Sequence, residues 1–349
     1  MNDFKIDDRW IGLDHPPYVI AEVSANHGGN IDIAKATIKM AKECGADAVK
    51  IQTYTADTMT LDIARGEFMI EGGLWDGYSL YELYKDAHTP YEWHAELFRY
   101  AREIGITLFS TPFDETAIEL LESLQTPAYK VASFEAIDIP LLQAIGRTGK
   151  PVILSTGLAN QTEISEAIST LRDAGTSALC VLHCISGYPT PVDQANVKTL
   201  TEIQRLWPEV TPGLSDHTLS PAAACAAVAL GACVIEKHVI TDRSMGGPDA
   251  SFSLEPNELS ELTTLVKQVH ASMGRASFQL KPAEQGNLKF RRSIYVSASV
   301  KKGELISEKN IRRIRPGFGL APKYYQQLIG KRFKVDAEPG TALTWELVE

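Results

Sequence analysis

Little in this sequence points to a covalent scaffold, a membrane or a polyanion. Five cysteines in 349 residues, with no CxxC pair, encode neither a disulfide framework nor a thiolate metal site. No apolar run reaches the roughly 20 residues needed to span a bilayer. The longest, Ala222–Ile235, is Ala-rich and reads as a helix running into a strand. The opening MNDFKIDDRW is polar and acidic and lacks the apolar stretch of a secretory signal. A reducing cytoplasm is the expected compartment. Basic charge is scarce too: the net charge is −10, which argues against nucleic acid as a partner because such binders carry a basic face. A small anion in a locally basic pocket stays compatible.

What is present favours a large folded core. Hydrophobic residues make up 44% and charged residues 22%, a balance that excludes disorder. Strand-like runs lie at Tyr18–Ser24, Ala48–Tyr54, Thr107–Thr111, Ala128–Ser133, Pro151–Thr156, Ala178–Cys184, Thr211–Ser215 and Cys233–Val239. Most are apolar with little alternation, as in parallel strands covered on both faces. Helical patterns alternate with them. Ile31–Cys44 is amphipathic and stops at Gly45; Thr162–Asp173 and Asn257–Met273 behave alike. Such alternation predicts an α/β chain built as a closed (β/α)8 TIM barrel rather than an open sheet.

After Met273 the pattern changes. Gly274–Lys289 is a polar, turn-rich linker, followed by about sixty residues with short β runs such as Ser293–Ala298 and turn signals KKGE, RPGFG and EPGT. The expected organisation is a barrel over 1–274, a linker over 275–289 and a small β-rich domain over 290–349. A long connection, Ala56–Pro90, carries the aromatic segment EGGLWDGYSLYELY (Glu71–Tyr84). It reads either as a lid or binding loop, or as a packing insert.

In a (β/α)8 barrel the carboxyl ends of all strands share one face, where active sites sit. Here those ends carry Glu22, Lys50, Gln52, Thr111, Lys130, Ser133, Ser155, Ser186, Ser215, His217, Glu236 and His238. His217 and His238 end adjacent strands and form a candidate divalent-metal pair, with positions left for water and substrate. Lys50 and Lys130, ringed by hydroxyls, suit a phosphate or carboxylate, because a buried ammonium needs an anion. A Lys–Glu pair inside the barrel, supplied by Glu22 or Glu135, would satisfy them equally. Glu22, Glu135 and Asp249 can serve as acid/base groups or merely orient their neighbours. His183 and His27 are weaker candidates, and Cys180 and Cys184 read as small buried thiols. Arg315, in RPGFG, either reaches a ligand or is a solvated charge.

These segments, in this order, resemble the sialic acid synthase family, and most of all its pseudaminic acid synthase branch. The resemblance rests on IAEVSANHGG (Ile20–Gly29), KIQTYTADTMTLD (Lys50–Asp62), FSTPFD (Phe109–Asp114), YKVASFE (Tyr129–Glu135), LSTG (Leu154–Gly157), YPTP (Tyr188–Pro191), GLSDHT (Gly213–Thr218), EKH (Glu236–His238) and GGPDASFSLEP (Gly246–Pro256). The segment Arg291–Tyr325 is similar to the antifreeze-like (SAF) domain of these enzymes, and the insert Gly72–His94 points to the pseudaminic branch.

The resemblance implies condensation of phosphoenolpyruvate with the open-chain form of 2,4-diacetamido-2,4,6-trideoxy-altrose, giving a nine-carbon 2-keto acid and phosphate by C–O cleavage. It assigns Lys50, Thr111, Lys130, Ser133, Ser155, Ser186 and Ser215 to phosphoenolpyruvate. Ser186 stands where neuraminic synthases carry Asn, so its reach to the phosphate is shorter. Gln52, Tyr188, Asp249 and Arg315 would contact the sugar. His217 and His238 would bind a divalent ion, Mn²⁺ before Mg²⁺ or Co²⁺, that polarises the sugar aldehyde. Glu22 and Glu135 are the acid/base and orienting groups. The family also implies a domain-swapped homodimer in which Arg315 acts across subunits. The rivals are legionaminic or N-acetylneuraminic acid synthesis, another phosphoenolpyruvate-using barrel, and a non-catalytic carbohydrate- or ice-binding protein.

Overall fold

The computed structural model describes residues 3–72 and 75–349. Met1 and Asn2 of the opening decapeptide, and Gly73 and Leu74 of the aromatic insert, lie outside the described residues. The chain divides into two compact units, Met1–Gly274 and Arg275–Glu349.

The first unit opens with a hairpin that the sequence pattern did not announce, β1 (Phe4–Ile6) paired antiparallel with β2 (Arg9–Ile11). Eight parallel strands follow: β3 (Tyr18–Glu22), β4 (Ala48–Thr53), β5 (Thr107–Pro112), β6 (Tyr129–Val131), β7 (Val152–Ser155), β8 (Leu179–Cys184), β9 (Thr211–Ser215) and β10 (Val234–His238). Each pairs with the next in chain order, and β10 closes on β3. The expected TIM barrel is thus the observed one, with strand ends shifted by one or two residues.

Period-two side-chain alternation sorts the strands into two cores. Val19, Ala21, Val49, Ile51, Leu154, Val181 and Ile235 face outward and pack on the helices. Tyr18, Ile20, Ala48, Phe109, Ile153, Cys180, Leu182 and Val234 fill the barrel. Phe4, Ile6 and Ile11 of the hairpin join that inner cluster and plug the end where the strands begin. Continuing the inward parity along each strand leads to Glu22, Lys50, Gln52, Thr111, Lys130, Ser155, Cys184, Ser215, Glu236 and His238. The polar residues therefore gather at the opposite, carboxyl end.

Local signals set the helices. Ile31–Glu43 starts on the Asn30 side chain, which accepts from the Asp32 amide. The chain leaves it through Gly45 at φ 85°, a left-handed backbone that glycine takes without steric cost. Gln161–Ala174 begins with a reciprocal Asn160/Glu163 capping box. The connection between β4 and β5 is partly helical, with Ala56–Met59 and Leu80–Ala87, the latter capped by Ser79 and Glu82. Tyr91–Ile104 then packs on the barrel.

In the second unit β11 (Ser293–Val296) pairs antiparallel with β12 (Ile311–Ile314). Ile294, Val296, Ile311, Phe333 and Leu343 form its own core. Within the stretch read as a linker, Pro282–Gln285 is a short helix.

Candidate active site at the barrel mouth

The inward lysines lie deepest. Lys50 is 4% exposed and Lys130 2%. Lys50 Nζ stands 2.8 Å from Glu236 Oε1 and 2.9 Å from Glu22 Oε2; Lys130 Nζ is 3.6 Å from Glu236 Oε1. The internal ion pair is built, with Glu22 as one partner. The other is Glu236 rather than Glu135. Burial drives the Lys50 ammonium down to about 7 against the pull of Glu236, with Lys130 adding to the fall. Burial acts on Glu236 in the opposite sense, but Lys130 and Lys50 outweigh it and hold that carboxyl well below its usual range.

Around this charged centre, polar atoms lack partners. Thr111 Oγ1, Ser155 Oγ, Ser186 Oγ and Glu236 Oε2 are buried and make no hydrogen bond. Each such group costs free energy, and native interiors hold few of them. Hydroxyls unsatisfied beside two lysines are suited to an oxygen-rich anion. Ser215 Oγ approaches Glu236 Oε1 at 3.5 Å. Ser133 Oγ accepts from the Gly157 amide at 3.0 Å. A Cβ placed on Gly157 would lie 2.2 Å from Ser186 Oγ and 2.8 Å from Ser133 Oγ, so glycine keeps this corner open.

The imidazoles sit at the ends of β9 and β10 with ring centres 5.4 Å apart. His217 Nδ1 donates to the Ile185 carbonyl at 2.9 Å, which leaves Nε2 free for a ligand. His238 Nδ1 makes no hydrogen bond and lies 3.8 Å from Asp249 Oδ2. Burial, then repulsion from His217 and Lys50, holds His238 well below its usual value and therefore neutral, the ligating form; His217 shifts the other way, raised against burial by Cys184 and the Ile185 carbonyl, and would shed its Nε2 proton to hold a cation. Among the described residues no three His, Cys, Asp or Glu side chains are placed to hold one metal ion together. The two imidazoles alone offer a divalent ion an open, incomplete shell that water and substrate would complete, and not a closed structural site. Cys184 Sγ is 4.0 Å from His217 Nδ1; burial pushes the thiol up, but His217, Ser133 and Lys130 together bring it down to about 7.

Above the imidazoles lies an aromatic wall. The Tyr188 ring is 4.5 Å from His217 and 5.2 Å from Phe252. Trp75, in the insert, is 6.2 Å from Tyr188 and donates its indole N–H to the Pro248 carbonyl at 3.2 Å. Beside it, Gln52 Nε2 donates to Glu22 Oε1 at 3.2 Å and to Ser24 Oγ at 3.1 Å. Burial raises the Asp249 carboxyl. Glu135 follows β6 in a short turn; burial pushes it up to about 7 despite Lys130, and its Oε2 is unpaired.

The barrel thus brings together the residues named from its strand ends. Arg315 belongs to the second unit, where it is exposed. His183 is a packing histidine that donates Nε2 to the Ala195 carbonyl at 2.9 Å. His27 is likewise packed, its ring 5.5 Å from Trp93. Cys180 is buried in the barrel interior as a free thiol. Sequence reasoning missed three things: Glu236 as the shared lysine partner, Cys184 beside the imidazole, and Ser24. Period-two parity counted from His238 finds Glu236, and counted from Leu182 finds Cys184; no local signal finds Ser24.

Residues 37–278 match the NeuB family and residues 291–349 the SAF domain. The chain is 43% identical to a pseudaminic acid synthase of Campylobacter jejuni over 330 residues, 95% of this chain and 96% of the relative. It is 41% identical to a pseudaminic acid synthase of Helicobacter pylori, over 96% of this chain and 98% of the relative. A crystal structure of N-acetylneuraminic acid (sialic acid) synthetase from Leptospira borgpetersenii, in complex with citrate, resembles it with TM-score 0.74 at 29% identity, covering 83% of this chain and 96% of that one.

Proposed function

The chain belongs to the NeuB family of sialic acid synthases, and we propose that it joins phosphoenolpyruvate to 2,4-diacetamido-2,4,6-trideoxy-altrose. Water is the third reactant, and pseudaminic acid and phosphate are the products. The observation that carries the reading is the set of unpartnered hydroxyls of Thr111, Ser155 and Ser186 around Lys50 and Lys130. The pseudaminic branch is supported by the relatives at 41–43% identity.

Lys50, Lys130 and the hydroxyls of Thr111, Ser133, Ser155, Ser186 and Ser215 would hold the phosphate and carboxylate of phosphoenolpyruvate. Gln52, Tyr188 and Asp249 would orient the sugar, with its aldehyde facing C3 of the enol. His217 and His238 would hold a divalent ion, Mn²⁺ before Mg²⁺ or Co²⁺, which supplies Lewis-acid polarisation of the aldehyde. C3 attacks the aldehyde carbon, forming the new C–C bond, and the aldehyde oxygen takes up a proton to become a hydroxyl. Water adds to C2, and the C2–O bond to phosphate breaks. Glu22 is committed to Lys50, Gln52 and the Ser24 amide, so its role is to orient. Glu135, unpaired and titrating near neutrality, would accept the proton of the water that adds to C2.

No helix among the described residues is long and apolar enough to cross a membrane, consistent with a cytoplasmic site of synthesis. We assign a homodimer in which Arg315 of one subunit reaches the sugar in the other. Exposed Phe134, Leu158, Leu219 and Met245 on the loops of the barrel mouth support a covering partner.

A substrate panel tests the function. The altrose should be turned over at least tenfold faster than the precursors of legionaminic and N-acetylneuraminic acid; preference for either of those would reassign the branch. In isotopically labelled water, the label should enter the keto acid. Label in the released phosphate would refute C–O cleavage.

A further inference from the structure

Ser24 follows β3 with φ 46° and is 7% exposed. An L side chain in this left-handed region is strained, and glycine would take the backbone freely. Strain of this kind persists where the surroundings determine it, commonly at functional sites. The contacts of this serine show what is gained. Its amide donates to Glu22 Oε1 at 2.9 Å. Its Oγ accepts from Gln52 Nε2 at 3.1 Å. The hydroxyl therefore ties the turn after β3 to a carboxamide on β4. The amide would make its bond whatever the side chain; the contact with Gln52 needs the hydroxyl. Neither Lys50 nor Lys130 is among its partners.

We propose that Ser24 is a positioning residue for the amino-sugar substrate. Its hydroxyl fixes the Gln52 carboxamide, and so sets the geometry in which an acetamido group of the sugar is received. Glu22 Oε1 and Ser24 Oγ take both N–H donors of Gln52, which leaves its carbonyl oxygen as the group able to accept from an acetamido N–H. The inference rests on the sugar-binding role of Gln52 given under Proposed function.

Two variants of the full-length protein separate the hydroxyl from the backbone. Ser24→Ala removes the hydroxyl and keeps the strained Cβ; Ser24→Gly removes both. Both should raise the KM for the sugar by about fivefold to tenfold, the scale of one lost hydrogen bond. The KM for phosphoenolpyruvate should stay within about twofold. Ser24→Gly should unfold at a higher temperature than Ser24→Ala, because it relieves the backbone. Titration of the sugar alone onto each variant should show the same loss of affinity without turnover. An unchanged sugar KM in both variants, or an equal loss for both substrates, would overturn the proposal. Failure of the parent protein to turn over any such sugar would instead overturn the functional reading on which it rests.

Discussion

Lys50 and Glu236, 186 residues apart in the chain, meet at 2.8 Å inside the barrel mouth. Their contact keeps an ammonium in place where burial drives its pKa to about 7. Arrival of a dianion reverses that balance by favouring the charged lysine. Near pH 8 the free lysine is largely neutral and the bound one is not, so binding takes up close to one proton. Calorimetry of phosphoenolpyruvate binding, in buffers of different ionisation enthalpy, should show that uptake at pH 8 and much less at pH 6. Affinity should fall by up to about tenfold per pH unit above neutrality. Binding at pH 8 without proton uptake would show Lys50 already charged.

Gly157→Ala puts a methyl group where Ser186 Oγ and Ser133 Oγ lie. The backbone at this position accepts alanine, so the fold should persist with a small loss of stability. The KM for phosphoenolpyruvate should rise tenfold or more, while the sugar KM changes little. Steady-state kinetics checks both; equal effects on the two substrates would place the corner elsewhere in the reaction.

Glu135, raised from 4.5 to about 7, links activity and stability to pH with opposite signs. Between those values the folded protein keeps a proton that the unfolded chain has lost. Stability is therefore given up as pH climbs from 4.5 through 7, and the cost is complete above that. Glu135→Gln should melt higher than the parent at pH 8 and equally near pH 4.5. Its kcat should fall by a hundredfold or more and lose the rise through pH 7 that the parent shows. A variant that keeps the parental pH profile would remove Glu135 as the base.

Chelation should abolish turnover, and Mn²⁺ should restore it. His217→Ala and His238→Ala should each abolish calorimetric Mn²⁺ uptake while leaving the circular dichroism spectrum intact. Undiminished uptake in either variant would exclude that imidazole as a ligand.

Much of this was legible in the chain. The eight strands show as apolar runs, and their polar ends converge because parallel strands in a barrel share a direction. What could not be read was which carboxylate pairs with which lysine. Glu22, Glu135 and Glu236 all stand near strand ends, and only the barrel's curvature puts Glu236 between Lys50 and Lys130. The hairpin Phe4–Ile11 escaped notice because three-residue strands carry too few positions to show a period. Ser24 escaped because a positive φ leaves no mark on a serine codon's neighbours. The helices Ala56–Met59 and Leu80–Ala87 were present as capping boxes, overshadowed by the aromatic character of the segment between them.

The hairpin that stoppers the barrel floor with Phe4, Ile6 and Ile11 makes the site a cul-de-sac. Lys50 sits one inward step below Gln52 on the same strand. Under the proposed assignments the anion berth would lie beneath the sugar berth, and traffic through a single doorway would favour one sequence: enol ester first, sugar second.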